Sequence, residues 1–273
     1  VTAPDPLEAE PTCTPTRPRL AYWRIGEAGP PVLLIMGLSM PGRIWRSQVE
    51  GLGDTHRLVV YDHRGLGQSE APREPFDIGD MAGDALRVLD AAGFTQAHVV
   101  GVSMGGMIAQ HLALRAPERV RSLSLVATHA GGPTAALLEP AALVDFARVI
   151  FSPGGRRHEA LVRLLYPPEV AAQAERRVRE QLSSPVPPRT RFLQIRAVAL
   201  HDTRRRVHEL AVPTQVLMGD QDRLVRPSAT LALHARLPEG TPLHRFPESG
   251  HGLIFQDRQQ VNARLAEFIA EHD

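Results

Sequence analysis

Ala97-His-Val-Val-Gly101-Val-Ser103-Met-Gly105-Gly-Met-Ile-Ala-Gln-His111-Leu-Ala113 is the stretch that decides the fold. Its first five residues read as an apolar strand. From Met104 the spacing predicts a helix running to Ala116 and stopped by Pro117. Between the two, Gly101-Val-Ser-Met-Gly105 makes a sharp turn. The glycines let strand and helix come together, while Ser103 is left in an unfavourable backbone conformation that projects its hydroxyl outward. Such strain costs about 1–3 kcal/mol and persists only where the surroundings enforce it.

Working outward, the same alternation recurs. Leu20–Ile25, Val32–Met36, Arg57–Asp62 and Arg121–Ala127 read as further strands, and Ile78–Ala92, closed by Gly93, reads as a helix. Val32-Leu-Leu-Ile-Met36 and Leu58-Val-Val-Tyr61 are continuously apolar, as expected of strands covered on both faces. The alternation lapses at His129 and resumes with a strand at Thr214–Met218, a helix near Ser228–Leu237, a strand at Leu243–Phe246 and a helix at Asp257–Ala270. Strands alternating with helices predict an α/β protein with a mostly parallel, doubly wound sheet and an inserted helical cap. The expected organisation is a flexible Pro/Thr-rich tail over 1–18, a core over 19–133 and 213–273, and a helical cap over 134–212. An insertion at a strand's carboxyl end lies over the edge where such sheets bind ligands, so the cap is a candidate lid.

Composition excludes several chemistries. The chain has 273 residues and a formal net charge of +1, and all of its basic residues are arginine. Without lysine there is no Schiff-base chemistry and no Walker-type phosphate loop. Cys13 is the only cysteine, which removes Cys-based zinc sites and iron–sulfur clusters. Near-neutral charge argues against nucleic acid as a partner, and no apolar run approaches the length of a membrane span. The expectation is a soluble, cytoplasmic chain needing no metal or other cofactor.

A serine hydroxyl needs a base, and position must choose among twelve histidines. His251, flanked by Gly250 and Gly252 between the last strand and the closing helix, can be presented to the sheet's carboxyl edge. His98 and His111 fall within the strand and helix around Ser103, where packing is their expected role, and His129 is placed to line a pocket. The acid should follow another strand, where Gly219-Asp-Gln-Asp222 offers two. Asp220 begins the turn, where Asp commonly satisfies local backbone donors, so Asp222 is assigned to orient His251. The order Ser103, Asp222, His251 fits a nucleophile–acid–base set. For an oxyanion, the N–H of Met104 is one donor, and the N–H of Leu38, in the loop Met36-Gly-Leu-Ser-Met40, is assigned as the second.

These segments together resemble the α/β-hydrolase superfamily over nearly all of residues 20–270. Tyr61-Asp-His-Arg-Gly-Leu-Gly-Gln-Ser69 resembles the loop in which, by that resemblance, Asp62, Arg64 and Gly65 organise the floor of the site. Val212–Asp222 and Gly250-His-Gly252 are similar to the family's acid and histidine segments. Many relatives carry His-Gly where this chain has Met36-Gly37. The Met-Gly form with a helical insertion resembles the branch containing aclacinomycin methylesterase and, more distantly, 3-oxoadipate enol-lactonases. Serine at 103 speaks against the relatives with an aspartate nucleophile.

The resemblance implies a serine hydrolase cleaving a small or medium carboxylic ester through an acyl-enzyme. A lactonase, thioesterase or C–C bond hydrolase is the alternative on the same fold, and a non-hydrolytic binding protein or biosynthetic cyclase is the alternative of another class. The expected partner is a small ester-like molecule, with neither nucleic acid nor membrane. The segment 134–212 carries 13 arginines against 8 acidic residues, a balance of +5. Such a lid would favour anionic substrates, although Arg176, Arg177 and Arg179 read more simply as solvated helix faces. Phe146, Phe151, Tyr166 and Phe192 are candidate pocket aromatics.

Overall fold

Five consecutive apolar residues, Pro31–Ile35, build the middle of the sheet and explain its layering. Successive side chains of a strand point to opposite faces, so Leu33 and Ile35 join one apolar cluster while Val32 and Leu34 join another. All five are buried, which requires helices on both sides. The computed structural model describes residues 5–132, 140–152, 154–172 and 185–273. The strands are β1 (Thr12–Cys13), β2 (Ala21–Ile25), β3 (Pro31–Ile35), β4 (Arg57–Tyr61), β5 (Ala97–Val102), β6 (Val120–Val126), β7 (Thr214–Gly219) and β8 (Leu243–Phe246). They form one sheet in the order β1-β2-β4-β3-β5-β6-β7-β8. From β4 onward along that order the pairs are parallel, while β1 and β2 are antiparallel additions at one edge.

Helices α2 (Ile78–Ala92) and α3 (Met104–Arg115) cover one face. Asp77 starts α2 with a reciprocal cap, its side chain accepting from the Asp80 N–H while Asp80 accepts from the Asp77 N–H, an arrangement worth about 1 kcal/mol. The other face is covered by α1 (Arg46–Leu52), α8 (Leu253–Gln256) and α9 (Arg258–Ala270), which bury Leu52, Ile254, Val261 and Leu265 against the sheet. Between β6 and β7 lie α4 (Pro140–Phe151), α5 (Gly154–Leu165) and α6 (Pro188–Leu200); α7 (Pro227–His234) follows β7. Among the described residues no helix is long and apolar enough to cross a membrane.

Two organisational expectations need adjustment. Residues 5–18 are docked, not loose. Thr12 and Cys13 pair with Tyr22 and Ala21, Leu7 and Thr14 are buried, and the Trp23 indole N–H donates to the Ala9 carbonyl at 2.8 Å. The segment is held by non-local backbone pairing, which its Pro/Thr composition does not reveal; residues 1–4 lie outside the described residues. The second adjustment concerns 134–212. Its later part is not purely a cap, because Leu193, Ala197, Val207 and Leu210 are buried with α2 and α3 in the core cluster. Residues 134–139, 153 and 173–184, including Arg176, Arg177 and Arg179, lie outside the described residues.

Candidate active site

Ser103 sits at the junction of β5 and α3 with φ 56° and ψ −120°, in the region that favours glycine. Three contacts hold it there. Its N–H donates to the Val126 carbonyl at 2.9 Å, its own carbonyl accepts from the Thr128 hydroxyl at 2.8 Å, and the Gly106 N–H donates to that same carbonyl at 2.9 Å. The flanking glycines are demanded by contact. A Cβ on Gly105 would lie 2.0 Å from the Ile35 carbonyl oxygen, and one on Gly101 would lie 2.3 Å from the Gly105 carbonyl oxygen. Helix and strands approach more closely here than any side chain permits.

His251 and Asp222 arrive from the ends of β8 and β7. The ring Nδ1–H of His251 donates to Asp222 Oδ2 at 2.7 Å, and both residues are buried. Asp222 Oδ1 accepts from the N–H groups of Leu224 (2.8 Å) and Val225 (2.7 Å), so both carboxylate oxygens are engaged. Nδ1 therefore carries the ring proton, and Nε2 is the free acceptor. Asp220 does not serve local backbone donors; its carboxylate forms a two-bonded ion pair with Arg245, both contacts 2.9 Å. The histidine loop is also tied to α5, since the Gly252 N–H donates to the Leu165 carbonyl at 2.7 Å.

Ser103 and His251 line one cavity of about 240 Å³, together with His129 and the loop 36–41. Among the described residues no hydrogen bond links the Ser103 hydroxyl to His251. Catalytic contacts of this kind commonly tighten only with substrate bound. Met104 and Leu38 also line the cavity, and neither backbone N–H has a hydrogen-bond partner among the described residues. Met104 is the first residue of α3, so its N–H lacks an intrahelical acceptor and stands at the positive end of the helix dipole.

Residues around the cavity beyond the assigned set hold this geometry, Gln194 and His63 without having been singled out and His129 as expected along the wall. The Gln194 side chain of α6 accepts from the Ser39 N–H at 2.9 Å, steadying a residue at φ 60° one position beyond Leu38. His63 Nε2–H donates to the Met36 carbonyl at 2.7 Å, and burial lowers its pKa to about 4, keeping the ring neutral. His129 is likewise neutral, lowered to about 4 by burial and then by the nearby His251; its Nδ1 accepts from the Gly131 N–H. A neutral His129 adds no positive charge opposing a protonated His251. Nothing in the local sequence marks Gln194, whereas His63 falls within the Tyr61–Ser69 segment, where only its tertiary contact with Met36 reveals its part.

The floor residues fall behind the cavity. Asp62 accepts from the N–H groups of Gly42 (2.7 Å) and Gln68 (3.0 Å), Arg64 pairs with Asp84 at 2.5 Å, and Gly65 has φ 76°. None of the three lines the cavity. Of the four candidate aromatics, Phe146 lines it, Tyr166 is buried in the core, and Phe151 and Phe192 are exposed. His98 is buried against the Ser122 hydroxyl, and His111 lies against His201. Among the described residues no three His, Cys, Asp or Glu side chains converge where a metal ion would be held.

Residues 30–257 match the model of the alpha/beta hydrolase fold family. The chain belongs to that family and is a hydrolase of that fold. A provisionally named carbamate hydrolase, RutD, from Azorhizobium caulinodans is 36% identical over 265 residues, covering 92% of this chain and 96% of that protein. Among solved structures, a hydrolase from Pseudomonas aeruginosa PA01 has a TM-score of 0.82 at 26% identity, covering 96% of this chain and 99% of that one. A thermophilic esterase from Thermogutta terrifontis has a TM-score of 0.81 at 25% identity, with 97% and 100% covered.

Proposed function

We propose that the chain hydrolyses a small carboxylic ester through an acyl-enzyme on Ser103, with His251 as base and acid and Asp222 as its orienting partner. The observation that carries this reading is Ser103 itself, a non-glycine residue held at positive φ on the wall of the cavity that His251 also lines. Backbone strain of this kind is kept where a side chain must be presented. Ser103 Oγ attacks the ester carbonyl carbon as its proton passes to His251 Nε2. The oxyanion is met by the N–H groups of Leu38 and Met104, each worth about 2.7–4 kcal/mol by analogy with other hydrolases. Collapse breaks the bond to the alcohol oxygen, which leaves with the proton from His251. Water then attacks the acyl-enzyme, giving its proton to His251; the carboxylic acid departs and Ser103 regains its proton. Helices α4, α5 and α6 close the cavity from the cap side.

A carbamate is the second reading, favoured by the name of the Azorhizobium relative. Its carbonyl would be attacked at the same atom, leaving a carbamoyl-enzyme. Intact-mass analysis after fluorophosphonate treatment, followed by turnover of matched ester and carbamate panels, tests both. One adduct on Ser103, absent from Ser103→Ala, is the expected result. A folded protein with no adduct and no turnover would overturn the reading in favour of ligand binding.

A further inference from the structure

Two guanidinium groups share the cavity with Ser103 and His251: Arg157 from α5 and Arg191 from α6. Among the described residues no aspartate or glutamate lines that cavity; the rest of its described wall is mainly Met, Leu, Val, Ile and Phe. Arg191 is pinned by two backbone carbonyls, Nη1 to Ile150 at 2.6 Å and Nη2 to Val186 at 3.2 Å. These are dipoles without net charge, and the buried Nε–H of Arg191 has no partner. Arg157 forms no hydrogen bond or ion pair with any described residue. Burial, and then the charge of Arg191, lowers its pKa.

Other arginines of the same segment are paired. Arg148 and Arg163 converge on Asp145, Arg204 pairs with Asp202, and Arg206 with Glu209. Four arginines of the segment thus meet carboxylates, and Arg189 and Arg196 reach backbone carbonyls outside the cavity, whereas Arg157 and Arg191 face an apolar cavity with no carboxylate among its described lining residues. Like charges in such a wall are costly unless an anion joins them. A bound carboxylate supplies the missing countercharge and accepts charge-assisted hydrogen bonds.

We propose that the substrate carries a carboxylate besides its scissile carbonyl, and that Arg157 and Arg191 select for it. The proposal rests on the hydrolase reading for its chemistry, while the anion site stands on the two arginines alone.

Two measurements separate those components. The first compares kcat/KM for monomethyl glutarate with that for its neutral counterpart, in which an isopropyl group replaces the carboxylate. The expected preference for the anionic ester is about tenfold or more. It should fall about tenfold in Arg157→Gln, weaken in added salt, and be intermediate in Arg191→Lys, which keeps charge but loses the planar fork. The second is calorimetric binding of glutarate to the unmodified protein and to Arg157→Gln, which needs no turnover.

Glutarate binding that weakens in Arg157→Gln, with neither ester hydrolysed, would sustain the anion site and refute the ester reading. Ester turnover without anionic preference and without glutarate binding would refute the anion site alone. A preference unchanged in Arg157→Gln would overturn the role of Arg157, and absence of both turnover and binding would overturn the whole proposal. Arg157 bonds to nothing that folding depends on among the described residues, so its variant keeps the fold; a thermal melt checks this.

Discussion

Asp222 holds His251 with one oxygen and the backbone of its own turn with the other. Its Oδ2 lies 2.7 Å from Nδ1 of the ring, while Oδ1 takes the N–H groups of Leu224 and Val225. The carboxylate cannot rotate away without breaking two backbone hydrogen bonds. The orientation of the ring is therefore set by the turn after β7, far from the histidine in sequence. Its tautomer is set by the charge on Asp222.

Asp222→Asn is expected to retain the fold and to lower kcat by about 10⁴-fold with little change in KM, because an amide favours the wrong ring tautomer. Steady-state kinetics on whichever ester the panel identifies would check it. Activity within a few-fold of the parent protein would remove Asp222 from the proposed mechanism.

Gly105→Ala places a methyl group 2.0 Å from the Ile35 carbonyl oxygen and 2.7 Å from that of Met36, both backbone atoms. Relief requires α3 to move away from β3, carrying Ser103 and the Met104 N–H with it. A stability loss of at least about 2 kcal/mol is expected in urea titration. Loss of fluorophosphonate labelling should accompany it even in the fraction that remains folded.

Gln194→Ala removes the acceptor of the Ser39 N–H. The loop 36–41 then loses its tie to α6 while Ser103, His251 and Asp222 stay untouched. A fall in kcat of about ten- to a hundredfold, larger than any rise in KM, is expected if that loop supplies a transition-state donor. A change confined to KM would assign Gln194 to the pocket wall instead.

Stability should decline as pH falls below about 6.5. Burial lowers the pKa of His63, His98 and His129 to about 4 and, with neighbouring histidines, that of His201 to about 3. Between those values and the unfolded value of about 6.5 the unfolded chain binds more protons than the folded one, so stability rises with pH. Acidification through that window costs stability, and the loss levels off once the folded rings protonate. Asp62 and Asp84, raised by burial, act in the opposite sense just above about 3.8. The urea midpoint should therefore drop between about pH 7 and about pH 4. A flat profile would show these rings are not buried neutral.

The turn around Ser103, the parallel strands and the order of the site segments are legible from local pattern. Each is a local property. Gly101 and Gly105 are legible because only glycine tolerates backbone at that distance, and Val32–Met36 is legible because a strand covered on both faces has no polar side. What the tertiary structure alone decided is which groups meet. Asp222 is already the expected partner of His251, but the reason differs: Asp222 itself takes the local N–H groups of Leu224 and Val225, and Asp220 is held by Arg245, distant in the chain. The docking of Thr12–Cys13 on the sheet edge, the grip of Gln194 on Ser39 and the convergence of Arg157 and Arg191 on one cavity are likewise absent from local pattern. Those contacts join residues distant in the chain, and their partners are chosen by how the helices pack on the sheet, which neither propensity nor spacing encodes.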